Sequence, residues 1–441
     1  MLEILSPIQK QVFQRDKKGQ SVLLVSGRFV SGITKNLVAI EPVKISIVRI
    51  STGELVVNVP AENVNSLIAG GMDWNATVTL NSGFYELTAT TKTDSKTVRF
   101  GVGLAFACTG HSFAEGIGSA FVTDERAIIQ SNIDGAGVNP IDYVSTPVYK
   151  SIRDYSITDT SRTEGFWGIL AEKLVKEFDC PVLIYHASWG GTSIKHWSIA
   201  ANGGLATSYA GYNANNDGKG YPYAKLKNIV QKLVPKTGLH SVLILHGNND
   251  TNDTRENIER YYKDVITATR RDANIPTLPF NIALSTWNPA TETQVTTAQL
   301  NVIRDVPNVY LGADINKIGF DGRIRPTGAE NQRDLHLNNS GNVQAAELWA
   351  KALIPLCKVD NVALTPIVVL GGTNQVINSG LDITATLEKI QNPLTLGLGI
   401  ILVLFLLRFV GLKIPIWAMF LFGISTGLGL YFNETEKNMN S

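Results

Sequence analysis

Four short polar segments of the chain hold side chains suited to nucleophilic attack on a carbonyl group. Three of them directly follow apolar runs that are typical of buried strands. In chain order the segments are Gly110-His111-Ser112, residues 187–194, residues 247–250 and Asp334-Leu335-His336. Strands of an open parallel sheet present their sites outside their carboxyl ends, so we expect the first three segments to meet at one edge of a sheet.

Ser112 and His336 are the residues predicted to carry the reaction. A serine hydroxyl is a weak nucleophile until a base removes its proton, and His336 is the candidate base. Asp334 lies two residues before it and is the candidate carboxylate that orients the imidazole. The oxyanion formed on attack needs hydrogen-bond donors. The candidates are the backbone N–H groups of Ser112 and Gly191 and the side-chain amide of Asn249.

Each of these residues also has an ordinary structural explanation. Serine is favoured at helix N-caps, and Asp334 could cap the helix expected to follow it. Asn249 and Asp250 are common turn formers, and His336 could be a solvated surface histidine. The order of the four segments, rather than any one of them, favours a catalytic site.

That order resembles the SGNH hydrolases, in particular their carbohydrate O-acetylesterase branch, which acts on sialate and xylan esters. The branch has a Gly-Gly-Thr-Ser-Ile block followed by a tryptophan, a Gly-x-Asn-Asp block and an Asp-x-His block. The matching positions here are 190–194 with Trp197, 247–250, and Asp334 with His336. The resemblance covers roughly residues 101–357. It implies a serine esterase that acts on acetylated carbohydrate through an acyl-enzyme and needs no cofactor.

The sequence departs from that branch around the nucleophile. His111 stands where the branch has glutamine, and Phe113 stands where it has asparagine. We expect His111, Gly190 and Trp197 to contact the substrate, although Trp197 could equally well pack in the core. The departures leave open a second hypothesis, in which the protein keeps the fold but binds glycans without hydrolysing them, as an attachment protein would.

Composition and periodicity divide the 441 residues into several parts. Val43, Ile45 and Ile47 alternate with polar residues and other short β-prone runs follow, so residues 1–100 are predicted to form an all-β sandwich of the immunoglobulin or fibronectin type. Strands and helices alternate from 101 to 357. The predicted helices are 166–178, 223–234, 255–271 and 343–356. This alternation predicts the α/β class, here a flavodoxin-like three-layer SGNH hydrolase domain.

The C-terminal part is predicted to anchor the protein in a membrane. Residues 358–392 are mostly polar and are predicted to be a linker or stalk. Residues 393–432 contain two apolar stretches, each close to the roughly 20 residues that cross a bilayer. They are predicted to form a transmembrane helical hairpin, followed by a polar tail at 433–441. Arg408 and Lys413, between the stretches, are too few to fix the orientation.

Residues 1–20 lack the apolar core of a signal peptide, so none is expected and the side of the membrane stays open. One hypothesis is a virion-surface protein of a membrane-containing bacteriophage, with capsid or membrane proteins, or further copies of the chain, as partners. A second is a lipid esterase held at its substrate by the anchor. A third is a structural protein of a membrane assembly.

The remaining composition excludes other classes of site. The net charge is +1 and basic residues are not clustered, so no nucleic-acid partner is expected. Cys108, Cys180 and Cys357 are far apart in sequence and show no metal-binding or disulfide spacing. No metal and no cofactor are therefore predicted. The expected partners are acetylated carbohydrate and the lipid bilayer.

Overall fold

Two sheets of N-terminal strands pack around one apolar core. The structure, a computed structural model, describes residues 2–30, 43–65, 71–116, 122–130, 147–153, 165–207, 220–286, 293–324 and 336–358. The strands in this part are β1 (Leu2–Ser6), β2 (Val12–Gln14), β3 (Gln20–Val30), β4 (Lys44–Arg49), β5 (Leu55–Pro60), β6 (Glu62–Asn65), β7 (Gly71–Asn81) and β8 (Gly83–Thr90). One sheet has the order β1-β3-β7-β6, and β5, β4 and β8 pair in succession in the other. Alternate side chains, such as Leu23, Val25, Ile45 and Ile47, bury against Trp74 between the sheets.

Strand β9 (Ser95–Gly110) is 16 residues long and belongs to both parts of the molecule. Its first half pairs antiparallel with β8. Its second half lies between β12 (Val182–His186) and β13 (Ser241–Leu245) and is parallel to both. Strand β2 pairs with it between these halves, and Gln14 Oε1 accepts the Ala105 N–H at 2.8 Å just beyond. The boundary predicted between residues 100 and 101 therefore falls inside one continuous strand.

The central sheet has the strand order β11-β10-β12-β9-β13-β14-β15. The strands not yet given are β10 (Ala127–Gln130), β11 (Tyr149–Ser151), β14 (Phe280–Leu284) and β15 (Val309–Asp314). Neighbours from β10 to β15 are parallel, and β11 is antiparallel at the edge. Strands β12, β9, β13, β14 and β15 follow the 2-1-3-4-5 order of a flavodoxin-like sheet. The strand order reverses between β9 and β13, which is where the first and third polar segments begin.

Helices cover both faces of this sheet. They are α1 (Ser112–Glu115), α2 (Phe166–Phe178), α3 (Ile194–Ala201), α4 (Ala224–Asn228), α5 (Val234–Thr237), α6 (Arg255–Ala273), α7 (Thr293–Asp305) and α8 (Asn339–Lys358). Alternate residues of β9 face opposite layers, because side chains alternate along a strand. Leu104 and Phe106 pack with residues of α2 and α8, whereas Ala105 and Ala107 pack with residues of α3, α6 and α7. The result is a three-layer α/β arrangement.

The bounds of the predicted helices agree with those of the structure to different degrees. Helix α2 has the predicted bounds. Helix α6 ends at Ala273, two residues later than predicted, and is followed by the cap Asn274, which has a left-handed backbone. Helix α8 begins four residues before the predicted start. The helix predicted over 223–234 is interrupted, because a π-helical turn at Ile229–Leu233 separates α4 from α5. Such turns insert one extra residue per turn, which periodicity does not reveal.

The predicted linker, transmembrane hairpin and tail lie outside the described residues, apart from Lys358 at the end of α8. Within the described ranges, none of the helices is long and apolar enough to cross a bilayer.

Candidate active site

The nucleophile segment is a sharp turn from β9 into α1. Gly110 pairs with Leu245 of β13, and a Cβ built at Gly110 would overlap the Leu245 carbonyl oxygen. Only glycine allows the two backbones to approach this closely. Ser112 is the first residue of α1, and the Ala114 carbonyl in that helix accepts hydrogen bonds from Trp167 Nε1 and His186 Nε2, each at 2.8 Å. The turn is therefore held by α2, through Trp167, and by β12, through His186.

Ser112 and His336 lie in direct contact although 224 residues separate them. Ser112 Oγ is 2.7 Å from His336 Nε2, which is the distance of a short O–H···N hydrogen bond. Both side chains are partly exposed. The backbone of His336 is also held, because its carbonyl accepts the Ile324 N–H at 3.0 Å. The pair has the geometry that a serine nucleophile and its base require.

His111 is fully buried beneath this pair. Its Nδ1 accepts the Phe113 N–H at 3.4 Å, so Nε2 carries the hydrogen and donates to Asn248 Oδ1 at 3.2 Å. Burial lowers the pKa of His111 to about 3, so the imidazole is neutral. The side chain was predicted to contact substrate, but the structure places it under the nucleophile with both ring nitrogens bonded to the protein.

The second segment lies against the nucleophile turn. The Trp189 N–H donates to the Gly110 carbonyl at 2.9 Å. Gly191 has a φ of +65°, in the left-handed region that favours glycine, and Gly190 lies beside the carboxylate of Glu115. Both glycines are partly exposed. A backbone N–H at either position can therefore face a ligand without a Cβ in the way.

Trp197, another predicted substrate contact, is buried in α3. Its Nε1 donates to Thr192 Oγ1 at 3.0 Å, and that hydroxyl donates to the Trp189 carbonyl at 2.6 Å. The tryptophan thus supports the second segment from below. Of the two roles considered for it, packing in the core is the one that its burial favours.

Two consecutive residues of the third segment form hydrogen bonds with the second segment. Asn249 Nδ2 donates to the Thr192 carbonyl at 2.8 Å, and Asp250 Oδ1 accepts the Ile194 N–H at 3.0 Å. Ile194 is the first residue of α3, so Asp250 satisfies one of the N–H groups that a helix start leaves open. Gly247 makes this turn possible, since a Cβ there would overlap the Ser285 carbonyl oxygen. The predicted oxyanion donors Gly191 and Asn249 thus lie in two turns that hydrogen bonds hold together.

Among the described residues, Asp250 is the only aspartate or glutamate that is buried. Only 3% of its surface is exposed, and Oδ2 has no hydrogen-bond partner among the described residues. Burial raises the pKa of Asp250 to about 7, although the N–H groups of Ile194 and Lys195 oppose the shift. The sequence had suggested a turn former here, and the helix-capping role follows only from the packing of α3.

Asp334, the predicted orienting carboxylate, lies outside the described residues. Its role remains a prediction from the sequence, and the roles assigned to Ser112, His336, Gly191 and Asn249 remain predictions that their positions support. Within the described ranges, no group of three His, Cys, Asp or Glu side chains is arranged to hold a metal ion.

The structure adds two residues that the motifs did not indicate. Phe113 packs its ring against His336, and the buried guanidinium of Arg323 lies over the same ring. Position 113 was visible in the sequence only as a departure from the family pattern, and Arg323 carried no signal. An open pocket of about 470 Å³ borders the same segment, lined by Ile324, Leu337, Asn338, Asn339 and Ser340.

Comparison with protein families decides the class. Residues 165–355 match the family model of carbohydrate esterases, sialic acid-specific acetylesterases. The resemblance indicated by the four segments is confirmed, and the protein is a carboxylic ester hydrolase. The matched part of the esterase contains Gly190, Gly191, Asn249 and His336, whereas Ser112 lies before it.

Solved structures with a similar fold include two acetylesterases. One is a carbohydrate acetylesterase from Xanthomonas citri, with a TM-score of 0.49 and 16% identity, covering 80% of this esterase and 74% of that chain. Another is an acetyl xylan esterase from Butyrivibrio proteoclasticus, with a TM-score of 0.32 and 10% identity over 81% and 98% of the two chains. A tail fiber protein of an E. coli phage has a TM-score of 0.34 and 11% identity over 57% and 27%. No curated protein sequence matches the esterase.

Proposed function

We propose that the protein removes O-acetyl groups from carbohydrate, with Ser112 as the nucleophile. The observation that carries the proposal is the 2.7 Å separation of Ser112 Oγ and His336 Nε2 at the carboxyl end of β9. The two atoms lie where the strand order of the sheet reverses, which is where open α/β sheets place their ligands. The family match supports the ester as the bond that is cleaved.

In the acylation step, Ser112 Oγ forms a bond to the acetyl carbonyl carbon while its proton passes to His336 Nε2. The carbonyl oxygen becomes an oxyanion, which the N–H groups of Ser112 and Gly191 and the amide of Asn249 stabilise. One hydrogen of Asn249 Nδ2 is directed at Thr192 O, and this bond fixes the plane of the amide. Collapse of the intermediate breaks the bond to the sugar oxygen, which takes the proton from His336.

Deacylation repeats the chemistry with water as the nucleophile. His336 accepts a proton from water, the hydroxide oxygen bonds to the acetyl carbon, and acetic acid leaves as Ser112 Oγ recovers the proton from His336. The released acid then ionises to acetate in water. Asp334 would stabilise the imidazolium formed in both steps. No cofactor takes part in this scheme.

The chemistry of the surface beside His336 favours a sugar as the alcohol part of the ester. The open pocket bordering this segment presents the exposed Asn339 and Ser340 beside the apolar Ile324 and Leu337. Amide and hydroxyl groups can exchange hydrogen bonds with sugar hydroxyls, and an apolar side chain can pack against a pyranose face.

The test is hydrolysis of p-nitrophenyl acetate and p-nitrophenyl butyrate by the full chain in detergent, beside the Ser112→Ala and His336→Ala variants. We expect hydrolysis of the acetyl ester to fall about 10³-fold or more in both variants, because the nucleophile and the base act as a unit. The butyryl ester should be a poor substrate for the unaltered protein. Acetylated xylan and O-acetylated sialate then identify the sugar.

Two results would contradict the proposal. Turnover by Ser112→Ala at the rate of the unaltered protein would exclude Ser112 as the nucleophile. Background rates in all three proteins, together with binding on a glycan array, would favour the attachment-protein hypothesis.

Anchoring through residues 393–432 belongs to the same proposal. It is supported by the two apolar stretches of the sequence. Flotation of the full chain with lipid vesicles on a density gradient is the measurement. Loss of flotation after removal of 393–441 would support the anchor, and full chain left at the bottom of the gradient would contradict it.

A further inference from the structure

The ring of Phe113 lies between the candidate base and a buried arginine. Phe113 is 3% exposed, and its ring centroid is 5.6 Å from that of His336 with the planes 71° apart. Arg323 Cζ is 5.4 Å from the same phenyl centroid. Edge-to-face aromatic pairs and cation–π pairs are both favourable at these distances.

Arg323 also holds the segment that carries the base. The Arg323 side chain is 2% exposed, and its Nη2 donates to the carbonyls of Ile315 and Ile318 at 3.3 and 3.4 Å. Its backbone forms an antiparallel bridge with Leu337, and its carbonyl accepts Asn338 Nδ2 at 3.1 Å. One residue thus fixes the phenyl ring with its side chain and the neighbours of His336 with its backbone.

These contacts close a ring of interactions around the reacting atoms. Ser112 and Phe113 are consecutive in α1, Phe113 packs on His336, and His336 bonds back to Ser112. Rotation of the imidazole about its side-chain bonds would move Nε2 away from the hydroxyl. A phenyl ring packed against the imidazole restricts that rotation, and a smaller aliphatic side chain would leave more room for it.

We propose that Phe113, backed by Arg323, is a positioning residue that holds the His336 imidazole at hydrogen-bond distance from Ser112 Oγ. The inference rests on the proposed function, since it concerns the base of that reaction. It gives a physical role to the position where the sequence departs from the family pattern. It also places that role in the acylation step, where proton transfer depends on the separation of Oγ and Nε2.

The experiment compares Phe113→Leu, Phe113→Tyr and Ser112→Ala in the full chain. Phe166→Leu is the matched control, because Phe166 is fully buried in the same apolar cluster. Three quantities are measured: kcat and KM for p-nitrophenyl acetate, the rate constant for labelling of Ser112 by a fluorophosphonate, and the melting temperature. Labelling joins Ser112 Oγ to phosphorus and releases fluoride, and it needs the same base to take the serine proton.

We expect Phe113→Leu to lower kcat and the labelling rate constant in parallel, by about tenfold or more, with KM changed less than about threefold. Phe113→Tyr keeps the ring and should restore both to within about threefold. Phe166→Leu should lose similar thermal stability and keep its activity. A loss of buried volume alone would affect both leucine variants alike, so the difference between them reports on positioning.

A second arm covers the case in which Phe113→Leu does not fold. Arg323→Met alone should then lower kcat with KM little changed, and a kcat equal to that of the unaltered protein would overturn the inference. Where Phe113→Leu folds, combining the two substitutions should add little further loss, because both act through the same imidazole. Losses that multiply in the double variant would overturn the inference. So would Phe113→Leu behaving like Phe166→Leu while Ser112→Ala is inactive, and in that case the proposed function survives. Activity retained by Ser112→Ala would overturn both.

Discussion

Replacing Asp250 by asparagine should make the protein more stable at alkaline pH but not at acid pH. The carboxyl of Asp250 is 3% exposed. Its pKa is raised to about 7 by burial, against about 3.9 for an ordinary aspartate. Asparagine keeps an oxygen that can accept the Ile194 N–H, so the substitution removes the ionisation while retaining the cap.

The sign follows from proton binding in the two states. Between about pH 4 and pH 7 folded Asp250 holds a proton that the unfolded chain has released, so the free energy of unfolding falls as pH rises through this window. From pH 5 to pH 8.5 the free energy of unfolding therefore falls by about 3 kcal/mol, because folded Asp250 keeps its extra proton over about two pH units, from pH 5 to pH 7. The asparagine variant does not incur this loss.

Buried histidines impose the opposite trend, so only the difference between proteins is informative. Burial lowers the pKa of His111 to about 3 and the pKa values of His186 and His240 to about 4. The unfolded chain binds protons at these positions near pH 6.5, whereas the folded protein does not, so their contribution to stability is lost as pH falls from 6.5 towards 4. The unaltered protein and the Asp250→Asn variant both contain these histidines, so the contribution of the histidines cancels in the difference between them.

Urea unfolding at several pH values between 5 and 8.5 measures the effect. The free energy of unfolding of Asp250→Asn, minus that of the unaltered protein, should rise with pH by about 3 kcal/mol. Asp321→Asn makes the same chemical change at an exposed carboxylate and serves as the control. Parallel pH curves for Asp250→Asn and the unaltered protein would refute the assignment of a raised pKa to Asp250.

Three further predictions concern the reaction and the turns around it. Asn249→Ala should lower kcat by about 10²-fold or more with little change in KM, because an oxyanion donor acts mainly in the transition state; steady-state kinetics measure this, and an effect on KM alone would speak against the role. The rate kcat/KM should decline as pH is lowered, because an imidazole base must be neutral to accept a proton; a pH–rate profile that stays flat into the acid range would exclude His336 as the base. Gly247→Ala should destabilise the protein by about 3 kcal/mol or more, because its Cβ would overlap the Ser285 carbonyl oxygen. Gly319→Ala, where the added Cβ meets open space and φ is −75°, is the control, and equal urea midpoints for these two variants would contradict the overlap.

The placement of the segments that carry Ser112, Gly191 and Asn249 at one edge of the sheet could be predicted from local sequence. Each segment comes directly after a strand, and parallel strands bring their carboxyl ends together. The contact of Ser112 with His336 depended in addition on the family pattern, since no local signal reaches across 224 residues. These parts of the site were accessible because they depend on sequence order and on few geometric choices.

The supporting residues were not accessible in this way. Asp250 and Arg323 owe their roles to burial, and burial depends on which helix packs above them. The same holds for His111, which was predicted to contact substrate on the basis of its position beside Ser112. The chain turns so that His111 points under the nucleophile, and its neutral state follows from that packing. Environment, rather than residue type, decided each of these cases.

Strand β9 shows the same limitation at the level of domains. The sequence pattern changes near residue 100, yet β9 runs unbroken from the sandwich to the nucleophile turn. Strand β2 pairs with its middle, and Gln14 supplies a side-chain oxygen where the Ala105 N–H needs an acceptor. Without residues 2–94 that buried N–H would lose its partner and β9 would lose both β2 and β8. The sandwich therefore contributes directly to the strand that positions Ser112, whether or not it also touches the substrate.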